Sequence, residues 1–146
     1  MKFNYKLQKV LELREREKEE QAYTYEKSIR KFEEVAEFLY ERLKQKETLE
    51  GQLEERIKTG VRIQEIRMQQ KYLMNLEREI DYYQKLVFQA RNNMQLEKQV
   101  LVEKNIEVKK MEKMKNKEYE KYIHILNMED RKVMDELSMQ IVAREK

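Results

Sequence analysis

The 146-residue chain has no cysteine, no proline and no tryptophan, only two glycines and a single histidine. Without cysteine there is no disulfide, no thiolate nucleophile and no cysteine-based zinc site. Without proline, and with glycine confined to Gly51 and Gly60, almost nothing interrupts a helix. No apolar run approaches the roughly 18 residues of a membrane span, and Met1-Lys2-Phe3-Asn4-Tyr5-Lys6 lacks a signal-type apolar stretch. These absences predict a soluble, cytosolic protein. His124 stands alone, no glycine-rich loop precedes a helix, and carboxylates on open helix faces lack the buried pocket that catalysis needs. The expectation is therefore a non-enzyme without metal or cofactor.

What is present is charge. Charged residues make up 42% of the chain against a usual ~25%. The 32 basic and 29 acidic side chains leave a net charge of only +3. The signs interleave, as in Glu12-Leu13-Arg14-Glu15-Arg16-Glu17-Lys18-Glu19. Such alternation marks a solvated helix face supported by (i, i+4) pairs of about 0.2–0.5 kcal/mol each. One stretch, Lys104 to Lys121, leans basic through Lys109, Lys110, Lys113, Lys115 and Lys117. Glu107, Glu112, Glu118 and Glu120 dilute it along the sequence, so it reads as solvated surface and not as a nucleic-acid site. No nucleic-acid partner is expected.

Apolar residues recur at Ala22, Tyr25, Ile29, Phe32, Ala36, Leu39 and Leu43 in steps of three and four, the spacing of a coiled-coil seam. The pattern passes through Lys46 and Glu50 and resumes at Leu53 and Ile57, while Phe3, Leu7, Val10 and Leu11 open the chain. No apolar residue lies between Leu13 and Ala22, so the seam is expected to be loose there. A second seam runs through Leu73, Leu76, Ile80, Tyr83, Val87, Ala90 and Met94, then more loosely through Leu101, Val108, Met111, Tyr122 and Ile125. Gly60 suits the position past a helix end, where glycine enters a left-handed conformation without steric cost. Two seams flanking one short turn predict an antiparallel pair.

The predicted fold is all-α: a long two-helix antiparallel coiled-coil hairpin, forming one domain over residues 1–146, with the second helix longer. The first helix is placed at about 3–58, the turn at about 59–65 and the second helix at about 66–142. A fold centre near residue 62 or 63 sets Leu53 against Tyr72 and Leu73, Leu43 against Tyr82 and Tyr83, and Phe3 near Lys121. The chain from Ile123 to Lys146 then overhangs the first helix. Around Tyr72, Leu73, Met74, Leu76, Ile80, Tyr82, Tyr83, Leu86, Val87 and Phe88 apolar side chains exceed what one seam can bury, with Phe38 and Tyr40 across the pair. Such an excess marks a partner site.

The opening Phe3-Asn4-Tyr5-Lys6-Leu7-Gln8-Lys9-Val10-Leu11-Glu12-Leu13-Arg14 resembles the N-terminal signature of the flagellar export protein FliJ family. So does Gly60 followed by Arg67-Met68-Gln69-Gln70-Lys71-Tyr72-Leu73-Met74-Asn75-Leu76-Glu77-Arg78-Glu79-Ile80, and the tail Asp130-Arg131-Lys132-Val133-Met134-Asp135-Glu136-Leu137. The resemblance covers essentially the whole chain and implies a cytoplasmic component of the flagellar type III export apparatus, similar to the central stalk of a rotary ATP synthase. It implies binding to the ring of the export ATPase FliI, contact with the export gate protein FlhA, and escort of export chaperones or substrates. It also implies a place at the inner face of the cell membrane, peripheral at the gate. By motif correspondence, Tyr72, Leu76, Glu79 and Tyr83 fall on the gate-contacting surface, where Phe38 joins them. Leu76 and Tyr83 also fit the seam. The open end, with Phe3, Leu7, Val10, Met128, Arg131, Lys132, Asp135 and Glu136, is expected to meet the ATPase ring. Arg62 stands where relatives tend to carry a capping serine. A monomer is expected; the alternative is a structural spacer or tether that self-associates.

Overall fold

The computed structural model describes residues 2–145; Met1 and Lys146, the first residue of the chain and the last of the expected overhang, lie outside the described residues. Two helices account for nearly all of them: α1, Gln8–Thr59, of 52 residues, and α2, Ile63–Glu145, of 83 residues. Strands are absent among the described residues. The all-α class, the packing of two helices on each other and the greater length of the second agree with the sequence. Among the described residues no helix is long and apolar enough to cross a membrane.

The chain forms two compact units, Met1–Glu19 with Val102–Lys146, and Glu20–Leu101, so each helix contributes to both. In the second unit the two helix segments run antiparallel from a three-residue connection. Leu76 and Ile80 are buried there, and Leu73, Tyr83, Val87, Ala90 and Met94 are half-buried, as the three-four spacing predicts; Val35, which the predicted α1 seam leaves out, is buried beside the half-buried Ala36. On α1 the seam departs from expectation. Leu43 is 41% exposed while Arg42 takes the half-buried place, Leu49 replaces Glu50, and Ile57 is exposed. Arginine and lysine lay their aliphatic stems along apolar surface and keep the charged head in water. Arg42 and Lys46 can therefore occupy seam positions; Lys46 lies where the predicted pattern passes, and Arg42 lies outside it.

The pairing level also differs. The connection Gly60–Arg62 is shorter than the predicted 59–65, and α2 begins at Ile63 instead of 66. The turn is then centred on Val61, which draws each α2 residue toward an earlier partner on α1. Tyr83 faces Phe38, with ring centroids 5.8 Å apart, and stands beside Arg42, in place of Leu43. Gly60 has φ of +90°, the left-handed region that only glycine enters freely. The Thr59 hydroxyl donates to the carbonyls of Glu55 and Arg56 at 3.3 and 3.2 Å, closing the last turn of α1. At the start of α2 the Arg62 carbonyl accepts from the amides of Glu65 and Ile66 at 3.1 and 3.3 Å. Its side chain has no oxygen with which to cap the free amides of the first turn.

In the other unit α1 begins at Gln8, later than the predicted residue 3, because the chain before it has other work. In extended backbone, residues two apart point the same way. Phe3 and Tyr5 both turn toward α2. Phe3 meets Tyr119 edge-on at 5.2 Å and Tyr122 at 5.5 Å, and Tyr5 is buried. The Gln8 amide donates to the Tyr5 carbonyl at 3.1 Å and launches the helix. Leu11 and Val108 are the other buried apolar residues of this unit. Ile125, a predicted seam residue, is exposed, and so is every described residue from Asn127 to Glu145.

The three backbone positions have separable consequences. A Cβ at Gly51 would meet nothing within 4 Å, so Gly51→Ala raises stability by about 0.5–1 kcal/mol. Gly60→Ala lowers it by about 1–2 kcal/mol, since the strain is in φ and not in space. Arg62→Ser creates a Ser-x-x-Glu capping box with Glu65 and adds about 1 kcal/mol. Urea titrations followed by helical circular dichroism measure all three; a Gly51→Ala protein less stable than its parent would contradict the packing described.

Candidate protein-interaction surfaces

Near the turn, the residues singled out by sequence separate into two groups. Leu76 is only 3% exposed and packs inside the seam, so it cannot serve as a surface anchor while the helices are paired. Tyr83 is half-buried, held between Phe38 of α1 and the edge of Tyr82, whose ring lies 5.4 Å away. Glu79 is outside the seam, and its carboxylate accepts from Arg42 Nε at 2.9 Å. The Arg42 guanidinium also lies 5.6 Å from the centre of the Tyr83 ring. Four side chains, Phe38, Arg42, Glu79 and Tyr83, thus form one cluster that spans both helices. Arg42 was missing from the sequence reading; an acidic residue next to a seam tyrosine, with an arginine at the matching level of α1, was the signal available.

Tyr72 behaves differently. It is 56% exposed and lines an open cleft of about 550 Å³ with Glu41, Lys44, Gln45, Thr48, Leu49 and Gln52. Phe38, Tyr40, Met74, Tyr82 and Phe88 of the same unit are also exposed, with Met74 and Phe88 on roughly the opposite side of α2 from Tyr72. Large apolar side chains ringed by polar ones mark a protein-binding surface, and tyrosine gives much contact area for little conformational entropy.

The open-end candidates divide as well. Phe3 is committed to the rings of Tyr119 and Tyr122 and supports the fold there. Leu7 and Val10 are 41% and 39% exposed on the first turn of the chain's entry into α1. Met128, Arg131, Lys132, Asp135 and Glu136 all lie on the exposed end of α2, together with Val133, Met134, Leu137 and Ile141. His124, Asn127, Met128 and Arg131 line a small cleft of about 130 Å³ on α2 alone. Both surfaces are open, and among the described residues neither has the enclosed, convergent arrangement of a reaction site.

A family model described as Flagellar FliJ protein matches residues 2–146. The flagellar FliJ protein of Bacillus subtilis (strain 168) is 42% identical to this chain over 139 residues, which covers 95% of each. The chain belongs to the FliJ family. It is accordingly a flagellar export component. No solved structure matches it. The FliJ match spans both helices, the turn and the exposed end of α2.

The division between seam and surface is open to direct measurement. Leu76→Ala removes a buried side chain and costs about 2–5 kcal/mol. Tyr72→Ala, at an exposed position, changes stability by no more than about 0.5 kcal/mol. Thermal melting of the two variants beside the parent distinguishes them, and equal losses would show that Tyr72 is structural.

Proposed function

We propose that this chain is a non-enzymatic stalk of the flagellar type III protein export apparatus. It binds and stimulates the ring of the export ATPase FliI, contacts the export gate protein FlhA, and escorts export chaperones or substrates. Its place of work is the cytoplasm, peripheral at the inner face of the cell membrane. FliJ membership supports the setting. The observation that carries the mechanical part is the exposed end of α2. From Asn127 to Glu145 every described residue is exposed, and Val133, Leu137 and Ile141 recur there at helical spacing beside Arg131, Lys132, Asp135 and Glu136. A helix with an unburied apolar stripe gains free energy when a partner covers it. A single helix is roughly 10–12 Å across with its side chains, narrow enough to enter a ring opening that a helix pair would not.

The turn-proximal surface is assigned to the gate, with Tyr72 as its anchor and Phe38, Glu79 and the exposed edge of Tyr83 around it; Leu76 is reassigned to the seam that supports them. The same unburied stripe on α2 also favours a second function, a spacer that self-associates. Light scattering on the purified chain separates the two, since a stalk is a monomer and a spacer an oligomer.

Truncation after Ile123 tests the ring assignment. The shortened chain keeps Phe3, Tyr5, Leu11, Val108, Tyr119 and Tyr122 and therefore its pairing. It should lose at least tenfold in the concentration at which it stimulates FliI ATPase activity, about 1.4 kcal/mol of lost contact. Undiminished stimulation by the truncated chain would remove the exposed end from the interface.

A further inference from the structure

The basic stretch of α2 looks diluted when read along the sequence, and the helix sorts it. At 3.6 residues per turn, Lys109, Lys110, Lys113, Lys117 and Lys121 fall on the face opposite the buried Val108 and the half-buried Met111. Glu107, Glu112 and Glu118 fall toward the flanks of the seam, and only Glu120 shares the lysine face. All five lysines are exposed. None takes part in an ion pair among the described residues, whereas Lys46 and Lys85 of the other unit do. The row runs from Lys109 to Lys121, thirteen residues, about 18 Å along the helix. Lys2 extends it, since Lys2, Phe3 and Asn4 share a cleft with Glu118, Lys121, Tyr122 and Ile125. Ile106, on the same face, is 47% exposed.

We infer that this lysine face of α2, from Ile106 to Lys121, is a docking surface for an anionic lipid bilayer. Three features select lipid headgroups over other polyanions. The charges are all lysine, compact and strongly hydrated, with no arginine to supply the planar fork that recognises individual phosphates or carboxylates. No aromatic ring lies on the face for bases to stack on, because Tyr119 and Tyr122 are turned to Phe3. The lysines keep to about a third of the circumference of one helix, Lys109, Lys113, Lys117 and Lys121 in four-residue steps with Lys110 beside them, so their long side chains can reach one plane of headgroups together, with Ile106 entering the interface beside them. Clusters of four to eight basic residues attract anionic leaflets at about fivefold in partitioning per lysine. This surface is distinct from the gate and ring contacts proposed above.

Co-sedimentation of the full chain with vesicles tests the inference. The chain binds vesicles of phosphatidylcholine mixed with phosphatidylglycerol, does not bind phosphatidylcholine alone, and is released by salt as the Debye length shortens below about 10 Å. Lys109→Gln, Lys113→Gln and Lys117→Gln together weaken partitioning by roughly 100-fold. A control with Lys27→Gln, Lys44→Gln and Lys85→Gln, equal in charge but from the other unit, leaves it within about twofold. Circular dichroism checks that both triple variants keep the parent's helicity, as expected for exposed positions. Absence of binding to the anionic vesicles overturns the inference, as does an equal loss in the control. Retention of the parent by single-stranded RNA, lost in the first triple variant while vesicles are ignored, would overturn it in favour of a nucleic-acid surface.

Discussion

Among the described residues the two helices bury their apolar side chains against each other and, near Tyr119 and Tyr122, against Phe3. Six apolar side chains count as buried among the described residues, and none is sealed completely. Among the described residues no third layer shelters a second face. Helix propensity alone does not sustain helices so rich in charge; most helical stability in proteins comes from packing an amphipathic face. Every other property therefore depends on a single narrow contact per helix. A seam residue is structural almost by definition, and anything outside the seam meets water or a partner.

A narrow seam raises a problem of register, because hydrocarbon contacts in a repeating pattern are nearly as good one repeat along. Polar contacts settle it in coiled coils at little gain in stability. Within Glu20–Leu101, Gln21 donates through Nε2 to the carbonyl of Glu97 at 3.0 Å and to its carboxylate, Arg42 meets Glu79 at 2.9 Å, and Lys46 meets Glu77 at 3.6 Å. Exposed ion pairs contribute only about 0.2–1 kcal/mol each, so these do not hold the helices together. A slip would separate all of them, and Phe38 from Tyr83 as well. Gln21 is especially informative, since it lies at the edge of the apolar gap after Leu13, where hydrophobic contact specifies least.

That division explains what the sequence shows and what it hides. The α2 seam from Leu73 to Met94 is legible because apolar residues occupy nearly every position in three-four steps. On α1 the three-four pattern holds at Lys46 and is one residue off at Leu43 and Glu50, because the seam there takes Arg42, which looks like a gap, and Leu49. An α-helix of 3.6 residues per turn also drifts about 20° per heptad against a 3.5 repeat, so an extrapolated stripe leaves the seam within a few turns. Ile125 is such an extrapolation. The late start of α1 was hidden for a different reason: Phe3 and Tyr5 have no helical periodicity and act as a pair in extended chain. Of the surface residues, Tyr72 and Phe38 could be found as apolar excess, whereas Arg42 required knowing the pairing level.

Phase around the helix, more than position along it, then decides the role of each α2 residue. Tyr82 and Tyr83 are neighbours in sequence but about 100° apart around the helix, and Tyr83 is half-buried against Phe38 of α1 while Tyr82 is exposed. Lys113 and Lys115 are two apart, and Lys115 is half-buried toward the seam while Lys113 faces water. A helix of 83 residues with one face committed to α1 over part of its length has most of its circumference left over. Composition cannot report this, since interleaved charges average to neutrality along the chain. Around the helix the average separates, into glutamates that flank the seam and lysines that oppose it. A net charge of +3 is therefore a poor guide to what this FliJ-family chain presents to a partner, because the relevant charge density is that of a single face.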